Sequence, residues 1–174
     1  MAGKPKQGDY APHFEAYIGL AAEGDLKGQL LQQERDTIEV FAKLSDEQGE
    51  FRYAADKWSL KEVLGHMTDT ERVMTYRLLR IARGDTTPLP GFDENLFVAN
   101  TDFGRRTITE LLEEFRAVRA ATLALLGGVT AEELERSGTV SGNRITAHAL
   151  AYVAAGHALH HLNIVRDRYL PGLA

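Results

Sequence analysis

The sequence predicts an all-α protein, a four-helix bundle with one long connection, and three observations predict it. Four segments repeat their apolar residues at helical rather than strand spacing. Two of those segments open on Ser-x-x-Glu or Thr-x-x-Glu, the reciprocal capping signal of a helix start. No run alternates apolar and polar residues long enough to compete, and the brief stretch 138–145 reads as a turn. Four long amphipathic helices bury their stripes best against one another, as a bundle.

Taken in order, residues 1–9 are rich in Lys, Gly and Pro and read as a flexible segment ahead of a single domain over 10–174. The first helix spans roughly Asp25 to Leu44, with Leu26, Leu30, Ile38, Phe41 and Leu44 on one stripe. Helix two begins at Ser59, whose side chain and that of Glu62 each satisfy a backbone N–H of the first turn, while Trp58 and Val63 form a hydrophobic staple. Its stripe runs Leu60, Val63, Leu64, Met67, Met74, Leu78 and Ile81, and Gly84 supplies the stop. Thr107 and Glu110 open helix three, which carries Ile108 through Leu126 to Gly127-Gly128; Thr130 and Glu133 cap one short turn. Helix four starts near Thr146 and ends at Leu170, before Pro171-Gly172. The link between helices two and three, roughly 85–106, far exceeds the about 2–8 residues usual in bundles. Extended at about 3.3 Å per residue it can cross the whole bundle and allow helix three to run parallel to helix two.

Size and composition bound the function. A chain of 174 residues buries a core without staples. It has no cysteine, which excludes disulfides, thiolate metal sites and a cysteine nucleophile, so any metal site uses nitrogen and oxygen. The net charge of −5 and the lack of a basic stripe argue against nucleic acid. The N-terminus has no apolar leader and no run approaches the ~20 residues that span a bilayer. A cytoplasmic protein with no membrane contact is expected.

The chemistry concentrates in histidine. Three of the six histidines fall in Gly156–Ile164, GHALHHLNI. His157 and His161 are four apart and share the inward face of helix four with Val153, Ala154 and Val165. Such a pair presents two nitrogens to one ion, although the glutamate of a His-Glu-x-x-His protease helix is missing. Hydrogen-bonded core imidazoles are the competing reading. His66, beside the stripe of helix two, shifts the balance: it lies about 10 Å from that helix's start, and His161 about 14 Å from the end of helix four. In antiparallel helices these levels match, giving three nitrogens with open positions, as in catalytic zinc. His148 falls on the opposite face and His160 on the flank, both read as solvated, and His13 has no evident partner. Glu71 and Arg77 lie in or near the apolar stripe of helix two. The preferred reading is an ion-pair network with Arg80 or Arg116; the other is an arginine that holds a substrate carboxylate. Asp69 is placed to orient His66 but faces solvent more readily.

DKWSLKEVLGHMTDTERV, RGDTTPLPGFDENLF and the closing GHALHHLNIV, and with them nearly the whole chain from Tyr10 to Tyr169, resemble the DinB-like (DinB/YfiT) metal-binding four-helix bundles. The resemblance implies an up-down-down-up bundle with His66, His157 and His161 as the metal ligands. It also implies one divalent transition metal, Zn²⁺ first and Ni²⁺, Co²⁺ or Fe²⁺ as alternatives, and either hydrolysis or transfer and isomerisation with a low-molecular-weight thiol cosubstrate. Lacking cysteine, the chain cannot supply that thiol. The leading expectation is a metal-dependent enzyme acting on a small-molecule substrate, with Asp93 and Glu94 of the long link as candidate bases. A bundle in which the ion is only a staple or a sensor, and a homodimeric interaction protein, are the alternatives.

Overall fold

The computed structural model describes residues 3–173. Its elements in chain order are α1 (Glu15–Leu20), α2 (Leu26–Phe41), α3 (Leu60–Ala82), α4 (Glu94–Ala99), α5 (Ile108–Gly127), α6 (Ala131–Glu135), β1 (Ser137–Val140), β2 (Asn143–Thr146) and α7 (Ala147–Ile164). The last helix continues through a π-helical turn, Val165–Tyr169, into a 3-10 turn, Leu170–Leu173. No helix among the described residues is long and apolar enough to cross a membrane.

The bundle helices are α2, α3, α5 and α7, and contacts at their ends fix their directions. Asp46, just beyond α2, accepts from the Ile108 N–H that starts α5 (2.7 Å), and Lys27 at the start of α2 lies beside Gly127 at the end of α5. These two helices are antiparallel. Tyr169, beyond α7, donates to the carbonyl of Trp58, ahead of α3 (2.7 Å), so α3 and α7 are antiparallel too. Arg83 after α3 pairs with Glu133 after α5 (2.7 Å), and α3 therefore runs parallel to α5. The order is up-down-down-up, and it obliges the 83–107 crossover to travel back along the bundle.

Local chemistry sets the helix ends. Ser59 Oγ accepts from Glu62 N (3.2 Å) while Glu62 accepts from Ser59 N (2.7 Å), the reciprocal pair that starts α3. Thr107 with Glu110 and Thr130 with Glu133 repeat it for α5 and α6. Gly84 adopts φ +83° just past α3, a left-handed conformation that favours glycine. The first bundle helix is shorter than its apolar stripe suggests, because Asp25 caps it but the chain leaves helical geometry after Phe41.

Two features depart from the sequence reading. The 138–145 stretch, expected to be a turn, is most of an antiparallel hairpin paired from Ser137↔Thr146 to Val140↔Asn143. Ser141 and Gly142 both have positive φ (49° and 78°), the requirement of a type I′ hairpin turn. Strands of four residues are too short to display alternation, so only the Ser-Gly pair signalled the hairpin. Leu89 of the crossover adds a rung to it through Leu89 N to Thr139 O (2.8 Å) and Ser141 N to Leu89 O (3.0 Å). The other departure is α1, a short helix with no clear periodic signal. Of residues 1–9, Met1 and Ala2 lie outside the described residues; Pro5 is buried, and the Asp9 carbonyl accepts from Thr146 N (2.9 Å).

The apolar core divides into two clusters. One joins Leu78, Ile81, Leu150 and Val153 with Phe14 and Ile18; the other joins Leu60, Leu64, Met67, Phe115 and Tyr169. Between them runs a polar waist containing His66, Glu71, Arg119, Thr122 and His157, all buried. Gly156 of α7 sets the approach of α1, because a Cβ there would overlap the backbone of Tyr17. Gly156→Ala is therefore expected to destabilise by about 1–3 kcal/mol through overpacking, even though alanine is the better helix former. Gly19→Ala in α1 meets no neighbour and should be neutral or stabilising. Urea denaturation of the two variants checks the contrast; equal midpoints would contradict it.

Candidate metal centre

The waist gathers three imidazoles. His66 projects from α3 one residue past Gly65, where the missing Cβ leaves room for the ring of Phe103 on the crossover. His157 and His161 project from successive turns of α7. His66 Nε2 stands 2.9 Å from His157 Nε2 and 3.1 Å from His161 Nε2. Trp58 packs over His66 at 4.6 Å between ring centres, and Tyr17 meets the edge of His157 at 5.4 Å. His66 and His157 are buried and His161 is partly exposed.

Burial, reinforced by neighbouring imidazoles, disfavours the charged form of all three. His66 is lowered to about 4, His161 to about 3, and His157 falls well below its ordinary value. Near neutral pH the cluster is a set of uncharged nitrogen donors. Hydrogen bonds among them satisfy it poorly, since a single Nε2 either donates or accepts and His66 Nε2 faces two partners at once. Nitrogens about 2.0–2.1 Å from a tetrahedral ion sit roughly 3.3 Å apart, close to the spacing seen here. The donor set therefore fits one divalent ion.

The same shifts fix a pH dependence. The unfolded chain takes up protons on these histidines as pH falls below about 6.5, whereas the folded chain resists until about 4. Over that window the unfolded state binds more protons, so the metal-free protein should lose stability as pH falls and be insensitive to these groups above it. Urea midpoints of chelator-treated protein at about pH 7.5 and about pH 5 check this; equal midpoints would refute it.

The cluster opens into a cavity of about 320 Å³, bounded by Tyr17, Trp58, Thr70, Arg77, Phe92 and Glu94 among others. His160 and the exposed His13 also line it. His160 thus belongs to the cavity wall, with its ring 5.0 Å from that of His161, rather than to an open surface. His148 is buried on the far side of α7 with Nε2 unpartnered, and is not solvated as expected. It shares a pocket with Lys27 at the start of α2, Leu126 and Gly127 at the end of α5, and Ala131, Leu134 and Glu135 of α6.

The charged candidates separate as well. Glu71 pairs with Arg119, not with Arg77, Arg80 or Arg116: Arg119 Nη2 meets Glu71 Oε2 at 2.7 Å and Nε meets Oε1 at 2.9 Å. Thr122 donates to Glu71 Oε1 (2.7 Å) and Arg119 Nη1 to the Leu30 carbonyl (2.6 Å). No local pattern signals that Arg119 faces inward, because an arginine on an α5 flank reads as solvated. Asp69 bonds Arg72 (3.2 Å) and leaves His66 alone. Asp93 is occupied as the cap of α4, accepting from Asn95 N and Leu96 N, while Glu94 reaches the cavity wall.

An up-down-down-up helical bundle with three converging imidazoles beside a cavity defines the class: a helical bundle with a largely buried three-histidine cluster. The chain matches the DinB superfamily over residues 29–165 and belongs to that family. Among solved structures it is similar to YfiT from Bacillus subtilis, described as "a probable metal-dependent hydrolase with an unusual four-helix bundle topology". The TM-score is 0.70 at 17% identity, with 94% of this chain and 90% of that one covered. No curated protein matches significantly.

Proposed function

We propose that this chain is a metal-dependent enzyme acting on a small molecule, a hydrolase or a thiol-dependent transferase, with His66, His157 and His161 holding one divalent ion. The observation that supports this most is the convergence of the three Nε2 atoms beside a cavity, since a purely structural ion is usually closed off by a fourth protein ligand. Zn²⁺ suits three imidazoles best, and Ni²⁺, Co²⁺ and Fe²⁺ remain compatible. When bound, such an ion supplies Lewis-acid polarisation and makes a water or thiol more acidic. The rest falls to the chain's own groups. Glu94 is the carboxylate placed to accept a proton at the cavity wall, and Trp58, Tyr17 and Phe92 shield the floor from bulk water. Any thiol arrives as a low-molecular-weight cosubstrate, because the sequence has no cysteine. A cytoplasmic location fits that reading.

Protein purified without chelator or His-tag should carry about one divalent ion per chain, as a three-ligand site requires. The ion should stabilise a fold that already exists without it: at 100 times its dissociation constant it adds about 2.7 kcal/mol. Elemental analysis and melting with and without Zn²⁺ test both statements; a metal-free protein without helical circular dichroism would refute the second. Activity is tested on activated esters and on an electrophile with added thiol, comparing wild type with His161→Ala. Turnover that the substitution leaves unchanged, or no turnover at all, would favour an ion that only staples the bundle or a homodimeric interaction protein.

A further inference from the structure

The polar groups beyond the histidines point to the class of molecule the cavity takes. Arg77 is 4% exposed and has no ion-pair partner among the described residues. Its Nη2 donates to the Pro90 carbonyl (2.7 Å), its Nη1 meets Met74 Sδ (3.7 Å), and its guanidinium lies over the Phe92 ring at 5.3 Å. An arginine carries five N–H donors, so three find no partner among the described residues. Anchoring one carbonyl of the crossover does not require a full charge out of water, and a neutral donor would do it at less cost.

Thr70 adds a second, independent observation. A helical threonine commonly turns its hydroxyl back to the carbonyl four residues earlier, as Thr68 does to Leu64 (2.9 Å) and Thr75 to Glu71 (2.7 Å). Thr70 does not. Its Oγ1 is buried without a partner, in a residue 2% exposed that lines the cavity. His66, Thr70, Met74 and Arg77 follow one face of α3, so the uncommitted hydroxyl lies between the imidazoles and the guanidinium. Arg77 follows His66 by eleven residues, about 16 Å along the axis. Its side chain turns back toward Met74, which shortens that separation, and Arg77 and the histidines line the same cavity.

We propose that the cavity takes an organic anion, with its carboxylate on Arg77, a hydrogen-bonding group at Thr70 and its reacting end at the three histidines. The planar guanidinium fork matches a carboxylate, and burial strengthens the bond. Glu94 lies on the exposed rim and forms no ion pair with Arg77, leaving the guanidinium free for the ligand. The identity of the reacting end rests on the function proposed above; the anion site does not.

Two measurements keep those apart. The first is binding of hexanoate and of its neutral isostere hexanamide to metal-free protein, by calorimetry or by the fluorescence of Trp58, the only tryptophan. Hexanoate should bind at least about tenfold more tightly than hexanamide, and Arg77→Met should remove that difference while Arg77→Lys keeps part of it. Thr70→Val should weaken 4-oxohexanoate more than hexanoate. The second is hydrolysis by Zn²⁺-loaded protein of the 4-nitrophenyl monoester of glutaric acid against the same ester methylated at its free acid. A preference for the anionic ester that Arg77→Met abolishes supports the proposal. Equal binding of hexanoate and hexanamide, or equal binding by wild type and a folded Arg77→Met, overturns it. Arg77-dependent binding without turnover of either ester leaves the anion site in place and removes the enzymatic reading instead. A role confined to holding the crossover would lower the melting temperature of Arg77→Met and leave the anion preference intact, which also overturns it.

Discussion

Replacing Arg119 with methionine is expected to cost about 3–5 kcal/mol of stability, because it strands the Glu71 carboxylate in the core without its partner. The guanidinium is fully buried and the carboxylate nearly so, and each oxygen of Glu71 has a hydrogen bond that water cannot replace there. Glu71→Leu should cost a similar amount by leaving Arg119 unpaired. The double variant should recover most of the loss, since a buried pair replaced by apolar residues of similar volume is often neutral or better. For a chain of this size each kcal/mol moves the melting temperature by about 2–4 °C, so the single variants should melt roughly 10 °C lower. Urea denaturation of the four-member cycle decides it. Additive losses would mean that the two side chains do not interact as the geometry shows.

The pair also bears on the proposed metal centre. Glu71 sits just over one turn beyond His66 on α3, and Arg119 on α5 ties that turn to α5 and, through the Leu30 carbonyl, to α2. The apolar stripe alone holds α3 weakly against sliding, whereas a bidentate pair fixes its height. A double variant that regains stability but binds Zn²⁺ more weakly than wild type would show that the pair sets register.

What the sequence revealed and what it hid follow from the range of each signal. The four bundle helices were legible because stripes such as Leu60, Val63, Leu64 and Met67 repeat within one helix, and Ser59 and Thr107 mark their starts. The crossover's length foretold parallel α3 and α5. His66, His157 and His161 could be brought together because position along a helix converts directly into height. Long-range choices stayed hidden. Nothing local says that Arg119 rather than Arg80 or Arg116 turns inward toward Glu71. His148 was misplaced because the wheel of an isolated helix has an outside, whereas α7 is buried almost all round: α3, α1, α6 and β2 all pack on it. The same crowding brought His160 into the cavity wall.

Five single histidine variants give the largest effect on metal binding and test the geometry directly. His66→Ala, His157→Ala and His161→Ala each remove one of three converging nitrogens. Removing a group that merely orients a ligand costs on the order of 10- to 100-fold in affinity, so losing a ligand should exceed about 100-fold. His148→Ala removes a buried ring from the other side of α7, and should lower stability while leaving Zn²⁺ affinity unchanged. His160→Ala is the sharper control. Its ring lies 5.0 Å from His161 and 5.4 Å from Tyr17, near enough to shape the cavity, yet its nitrogens are not part of the converging set. Little change in affinity is expected, and any effect should fall on ligand binding in the cavity. Zinc titration calorimetry on chelator-treated variants, each first shown to be helical by circular dichroism, measures all five. Should His160→Ala abolish binding while His161→Ala does not, the phase of α7 would be shifted by one residue and the proposed centre would not stand.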